Sequence, residues 1–181
     1  MKPVDLNKQR VPHFLYPSAL FTSTRAHLVT TILGSCVSVC LWDPYLKVGG
    51  INHFMLPLWN GEGLSSPKYG NIAIEKLVAK MNGYGCSTTH LVAKIFGGMG
   101  RTGQQASHFK IGKRNIALAQ EMLHEFRIPV VSCSVGGEQG RKLQFLTDTG
   151  DVYMKMLPIS NAVPPRRPQA GIVETLPYEK R

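Results

Sequence analysis

The chain has 181 residues, enough for one domain that buries a core without disulfide staples. Apolar residues make up 43% and charged residues 18%, a globular balance that excludes disordered and fibrous classes. The formal net charge is +10, and no apolar run approaches the roughly 18 residues a membrane span needs. The first residues, Met-Lys-Pro-Val-Asp-Leu-Asn-Lys, lack a signal-peptide pattern, so a cytoplasmic location is expected. The four thiols (Cys36, Cys40, Cys86, Cys133) contain no Cys-x-x-Cys pair, and each defaults to a small buried side chain.

Residues 1–26, with three prolines, read as an N-terminal arm holding short strands. His27–Leu33 is β-branched and apolar, and Gly34-Ser35 breaks it. Val37, Val39 and Leu41 then alternate with Ser38, Cys40 and Trp42, the period of a strand. Asp43-Pro44 turns the chain into a strand over Val48–Leu56, and residues 58–68 form a loop. Ile74, Leu77, Val78 and Met81 share a helical face, with Gly83 placed as the residue after the helix. His90–Phe96 is a strand closed by Gly97-Gly98. A second helix spans about 111–127, ended by Pro129, and Val130–Val135 is a strand. Leu143–Leu146 and Val152–Met156 flank a hairpin turn in which Gly150 supplies positive φ. The Pro- and Arg-rich residues 159–181 read as a flexible tail. The expected fold is a single-domain α/β sandwich over residues 27–158, with mixed and antiparallel sheets and two long helices.

The chemistry concentrates at Thr30-Thr31-Ile32-Leu33-Gly34-Ser35-Cys36, with His53 seventeen residues further on. A thiol at a glycine turn projects from a strand end, and Gly34 lets a substrate approach the backbone closely. N–H groups freed at Gly34 and Ser35 face a developing oxyanion. An imidazole on the adjoining strand takes the thiol proton and later protonates a departing amine. Thr30 is a short, stiff acceptor to orient that ring. The alternative is a buried Cys beside a satisfied core His.

Two rival sites are weaker. Cys36 and Cys40 share a strand face, but no second pair of ligands completes a zinc site. Gly98-Met-Gly100-Arg-Thr-Gly103 fits a dinucleotide fingerprint, yet Glu121 falls inside a helix and not at a second strand end, so a glycine loop near the substrate groove is preferred. Between Glu75 and Glu121 lie seven Lys or Arg and no carboxylate. No nucleic-acid module accompanies them, and docking to an acidic helical protein is the preferred reading.

The run from Thr30 to Pro44, the segment Gly49-Gly-Ile-Asn-His-Phe-Met-Leu-Pro57, and the later Ala93–Gly98, Ile111–Asn115 and Gly136–Arg141 together resemble the CheD family of chemoreceptor glutamine deamidases. The resemblance implies a three-layer α/β sandwich. It also implies Cys36 as nucleophile, His53 as acid and base, and Thr30 as the orienting group, with Thr31 a close alternative. The implied reaction converts glutamine side chains of methyl-accepting chemotaxis proteins to glutamate, with no metal or organic cofactor. Gly49, Gly50 and the 58–68 loop are expected to border the slot. The alternative is a non-enzymatic regulatory module that binds receptors or a CheC-type phosphatase. Neither nucleic acid nor membrane insertion is expected.

Overall fold

The computed structural model describes residues 9–100, 106–158 and 179–180, with side chains at 9–100 and 110–158. Ten strands and two helices follow in the order β1 (Val11–Phe14), β2 (Ala19–Ser23), β3 (His27–Leu33), β4 (Val37–Asp43), β5 (Val48–His53), α1 (Gly70–Gly83), β6 (Val92–Gly97), α2 (Ala106–Glu125), β7 (Val130–Val135), β8 (Arg141–Leu146), β9 (Val152–Met156) and β10 (Glu179–Lys180).

The strands form two five-stranded sheets, ordered β1-β3-β8-β9-β10 and β2-β5-β4-β6-β7. Most pairs are antiparallel; β1 with β3 and β6 with β7 are parallel, the latter joined through α2. The sheets pack face to face, and the two helices cover the outer face of the second sheet. The three layers are therefore sheet, sheet and helices, as the family resemblance implies.

The alternation along β4 explains why this strand reads as an almost continuous apolar run. Cys40 points into the inter-sheet core with Leu33, Ile51, Phe96 and Phe145. Val37, Val39 and Leu41 point the other way, against Ile74, Leu77 and Met81 of α1 and Leu123 of α2. A strand buried on both faces needs apolar residues at both parities, each large one contributing about 1.5–3 kcal/mol.

Several details differ from the sequence expectation: β5 ends at His53 and not at Leu56, and α2 runs over Ala106–Glu125 and not about 111–127. Gly83 lies within α1; Tyr84 is the cap, and Gly85, at φ 86°, is the left-handed residue that lets the chain leave the helix. Residues 11–23 are also more than an arm. They supply β1 to one sheet and β2 to the other, and Leu15 between them is buried in the inter-sheet core. Short strands separated by prolines carry too few alternations to reveal such pairing. Apart from β10, the expected tail lies outside the described residues.

Candidate functional site

The site forms where β4 begins and β5 ends. From Asp43 opposite Val48 to Cys40 opposite Ile51 the two strands pair regularly. The pairing resumes at an isolated bridge, Val37 with Phe54, closed by bonds of 3.1 and 3.0 Å. In the gap, the side-chain Oδ1 of Asn52 accepts the Val39 N–H at 2.9 Å. Cys36 and His53 each precede a residue of that bridge. Strand parity turns both toward the inter-sheet layer, where Cys36 packs against the core and remains partly exposed. Diagonal neighbours on one sheet face lie about 7–8 Å apart, a span that aromatic and long side chains can bridge.

His53 is held from the opposite sheet. Its Nδ1 lies 2.9 Å from the Thr31 hydroxyl, and that hydroxyl donates to the Leu15 carbonyl at 2.8 Å. A hydroxyl has one proton, and here it goes to a carbonyl that only accepts. Nδ1 must therefore carry the ring proton and donate it to Thr31. This leaves Nε2 as the bare lone pair, buried and without a hydrogen-bond partner among the described residues. The thiol and the imidazole are thus not hydrogen-bonded in this resting arrangement, a looseness common before substrate binds.

The turn carrying Cys36 is fastened through its carbonyls. Gly34 C=O accepts from Met99 N–H at 2.9 Å, and Cys36 C=O accepts from Gly98 N–H at 2.8 Å. Ser35 C=O accepts from Asn115 Nδ2 on α2 at 3.1 Å. Beneath it lies Gly97, at φ 106°, where any Cβ would collide with the Cys36 carbonyl oxygen.

A family model described as CheD chemotactic sensory transduction matches residues 55–156, more than half of the chain. The probable chemoreceptor glutamine deamidase CheD of Trichlorobacter lovleyi is 49% identical over 142 residues, covering 78% of this chain and 88% of the relative. The protein of the same name from Sulfurimonas denitrificans is 43% identical over 143 residues, covering 78% and 92%. One from Rhodospirillum rubrum is 39% identical over 144 residues, covering 80% and 81%. The chain belongs to the CheD family.

Because the family-model match begins at Met55, it leaves Thr31, Cys36 and His53 outside, and their pairing in this CheD chain rests on the geometry above. The electrostatics describe a neutral pair. Burial, slightly offset by the Leu15 carbonyl, lowers His53 from 6.5 to about 4, so the ring is uncharged at neutral pH. Burial raises the Cys36 thiol from 9.0 to about 11, while its own backbone N–H pulls in the opposite direction. The resting species is thiol plus imidazole, and the ion pair does not form in advance.

Several expectations need correction. Thr31 touches His53, and Thr30 does not. Thr30 sits at the opposite parity of β3 and contributes its carbonyl, which accepts the Leu15 N–H at 2.9 Å. Gly49 and Gly50 do not border the opening. A Cβ on Gly49 would meet the Thr147 carbonyl oxygen at 2.6 Å, and one on Gly50 would meet Leu77 Cδ1 at 2.9 Å. Both are packing glycines, one toward each neighbouring layer. Gly34 and Ser35 do lie partly exposed beside Cys36. The 58–68 loop continues from Met55, and Leu58 and Leu64 on it are exposed. Gly98 and Met99 fasten the nucleophile turn, while residues 101–103 of the same glycine motif lie outside the described residues.

Sequence reasoning gave no role to Leu15, Asn52 or Asn115. Asn52 and Asn115 each lie in a segment that resembles the family, whereas Leu15 carried no such signal.

Proposed function

We infer that this chain is a chemoreceptor glutamine deamidase, an amide hydrolase that converts glutamine side chains on methyl-accepting chemotaxis proteins to glutamate. The observation that carries the mechanism is the Thr31–His53 bond, which leaves the Nε2 lone pair on the layer shared with the Cys36 thiol.

On this reading the glutamine side chain enters beside Gly34 and Ser35. His53 Nε2 removes the thiol proton as Cys36 Sγ attacks the glutamine Cδ, because neither partner is charged beforehand. The charge that develops on the amide oxygen is met by N–H groups of the Ser35-Cys36 turn, which have no partner among the described residues. The imidazolium, steadied at Nδ1 by Thr31, returns its proton to the departing nitrogen, and ammonia leaves a thioester. His53 then takes a proton from water, which attacks the thioester carbon. Collapse of that adduct expels the sulfur, which regains its proton from His53, and a glutamate is left on the receptor.

Docking of the receptor is the second part of the proposal. Lys110, Lys113 and Arg114 are exposed on the α2 segment whose Asn115 reaches the nucleophile turn. A basic surface beside the opening suits an acidic helical receptor and raises the encounter rate at low salt.

Mass spectrometry of a receptor cytoplasmic fragment separates enzyme from binder. With wild-type chain, defined glutamines become glutamates; with Cys36→Ala the conversion stops while binding persists. If wild-type chain binds the fragment and converts no glutamine, the chain acts instead as a regulatory module for receptors or a CheC-type phosphatase; equal conversion by Cys36→Ala would remove Cys36 as the nucleophile.

A further inference from the structure

Asn115 is fully buried on α2, and its side-chain amide reaches across to both strands of the site. Nδ2 donates to the Ser35 carbonyl at 3.1 Å and to the Met55 carbonyl at 3.0 Å. Both are acceptor-only groups, so the amide can be oriented only one way, and both its hydrogens are used. The residue therefore ties the turn before Cys36 to the segment just after His53.

The bond to Ser35 has a stereochemical consequence. A trans peptide is planar, with its C=O and N–H on opposite edges. Drawing the Ser35 carbonyl toward α2 turns the Cys36 N–H away from the helix layer. That N–H has no hydrogen-bond partner among the described residues.

We propose that Asn115 is a positioning residue of the deamidation site, one that fixes the Ser35–Cys36 peptide so the Cys36 N–H serves as the oxyanion donor. The proposal rests on the reading of Cys36 as nucleophile. It adds that the helix layer, through one amide, sets the backbone geometry on which the tetrahedral intermediate depends.

Two reactions of the same thiol test it. Iodoacetamide alkylation needs the sulfur and its base but forms no oxyanion, whereas deamidation needs all three. Asn115→Ala and Asn115→Ser should lower kcat for receptor deamidation about 10²-fold, the scale of one lost oxyanion donor, with KM nearly unchanged. The Cys36 alkylation rate should stay within about threefold of wild type, far short of the change in kcat. The serine variant carries the test should the alanine variant not fold. Parallel losses in both reactions would overturn the proposal, because a merely loosened site affects both. Full deamidation activity in a folded variant would overturn it as well. Failure of the underlying nucleophile reading shows separately, as undiminished deamidation by Cys36→Ala.

Discussion

The Thr31 hydroxyl stands 2.9 Å from Nδ1 of His53 and gives its own proton to Leu15, so one residue of β3 sets the tautomer of the ring. Replacing Thr31 with Val keeps the shape and removes the acceptor. Ammonia release should fall about 10- to 100-fold, the scale of misaligned general base catalysis. Thr30→Val, at the other parity, should stay near wild type. Equal losses from the two variants would show that bulk, and not the hydrogen bond, matters.

The neutral pair has a pH signature. With His53 near 4 and Cys36 near 11, kcat/KM should be flat across neutral pH, with no midpoint near the ordinary histidine value. A pH–rate profile on a receptor fragment decides this.

Stability follows the same shifts. The folded pKa of His53 is below its unfolded value of 6.5, so the unfolded chain binds the extra proton as pH falls from 6.5 toward about 4. Stability is lost in that window, by up to about 3 kcal/mol from this group. For Cys36 the unfolded thiol ionises first, so stability is lost as pH rises from 9.0 toward about 11. Urea unfolding of wild type and His53→Gln at neutral and mildly acid pH should show a larger acid loss in wild type, because His13, also lowered by burial and by His27, contributes to the loss in both.

Much of the fold was readable from sequence. The strand and helix periods placed nearly every element after His27, because each buries a face at a fixed repeat. The site was only partly readable. Leu28 and Ile32 on β3 are as apolar as Val29 and Leu33, so the pattern could not tell which threonine faces inward. Only pairing across the sheets resolves that choice. Leu15 acts through a carbonyl, which no side-chain pattern records. Gly49 and Gly50 looked like substrate-facing glycines because the same absence of Cβ serves close packing between layers.

Thiol reactivity should follow exposure before catalysis. Cys133 is exposed, while Cys36 is partly covered and protonated at neutral pH. Iodoacetamide should therefore label Cys133 first, Cys36 next, and buried Cys40 and Cys86 last. His53→Ala should slow labelling of Cys36 and leave Cys133 unchanged, as peptide mapping would show.

The basic face of α2 predicts a salt-sensitive rate. Lys113→Glu with Arg114→Glu should slow receptor deamidation at low ionic strength, mainly through the encounter step, and the difference from wild type should shrink as salt is added. An unchanged rate at low salt would remove this surface from the docking proposal.

The most direct measurement follows the receptor itself. A cytoplasmic receptor fragment is incubated with wild type, Cys36→Ala and His53→Ala, and its peptides are read for amide-to-acid conversion. The account predicts glutamate at defined positions with wild type alone, and a transient adduct of Cys36 with the substrate on acid quenching. Conversion at wild-type rate by either variant would contradict it.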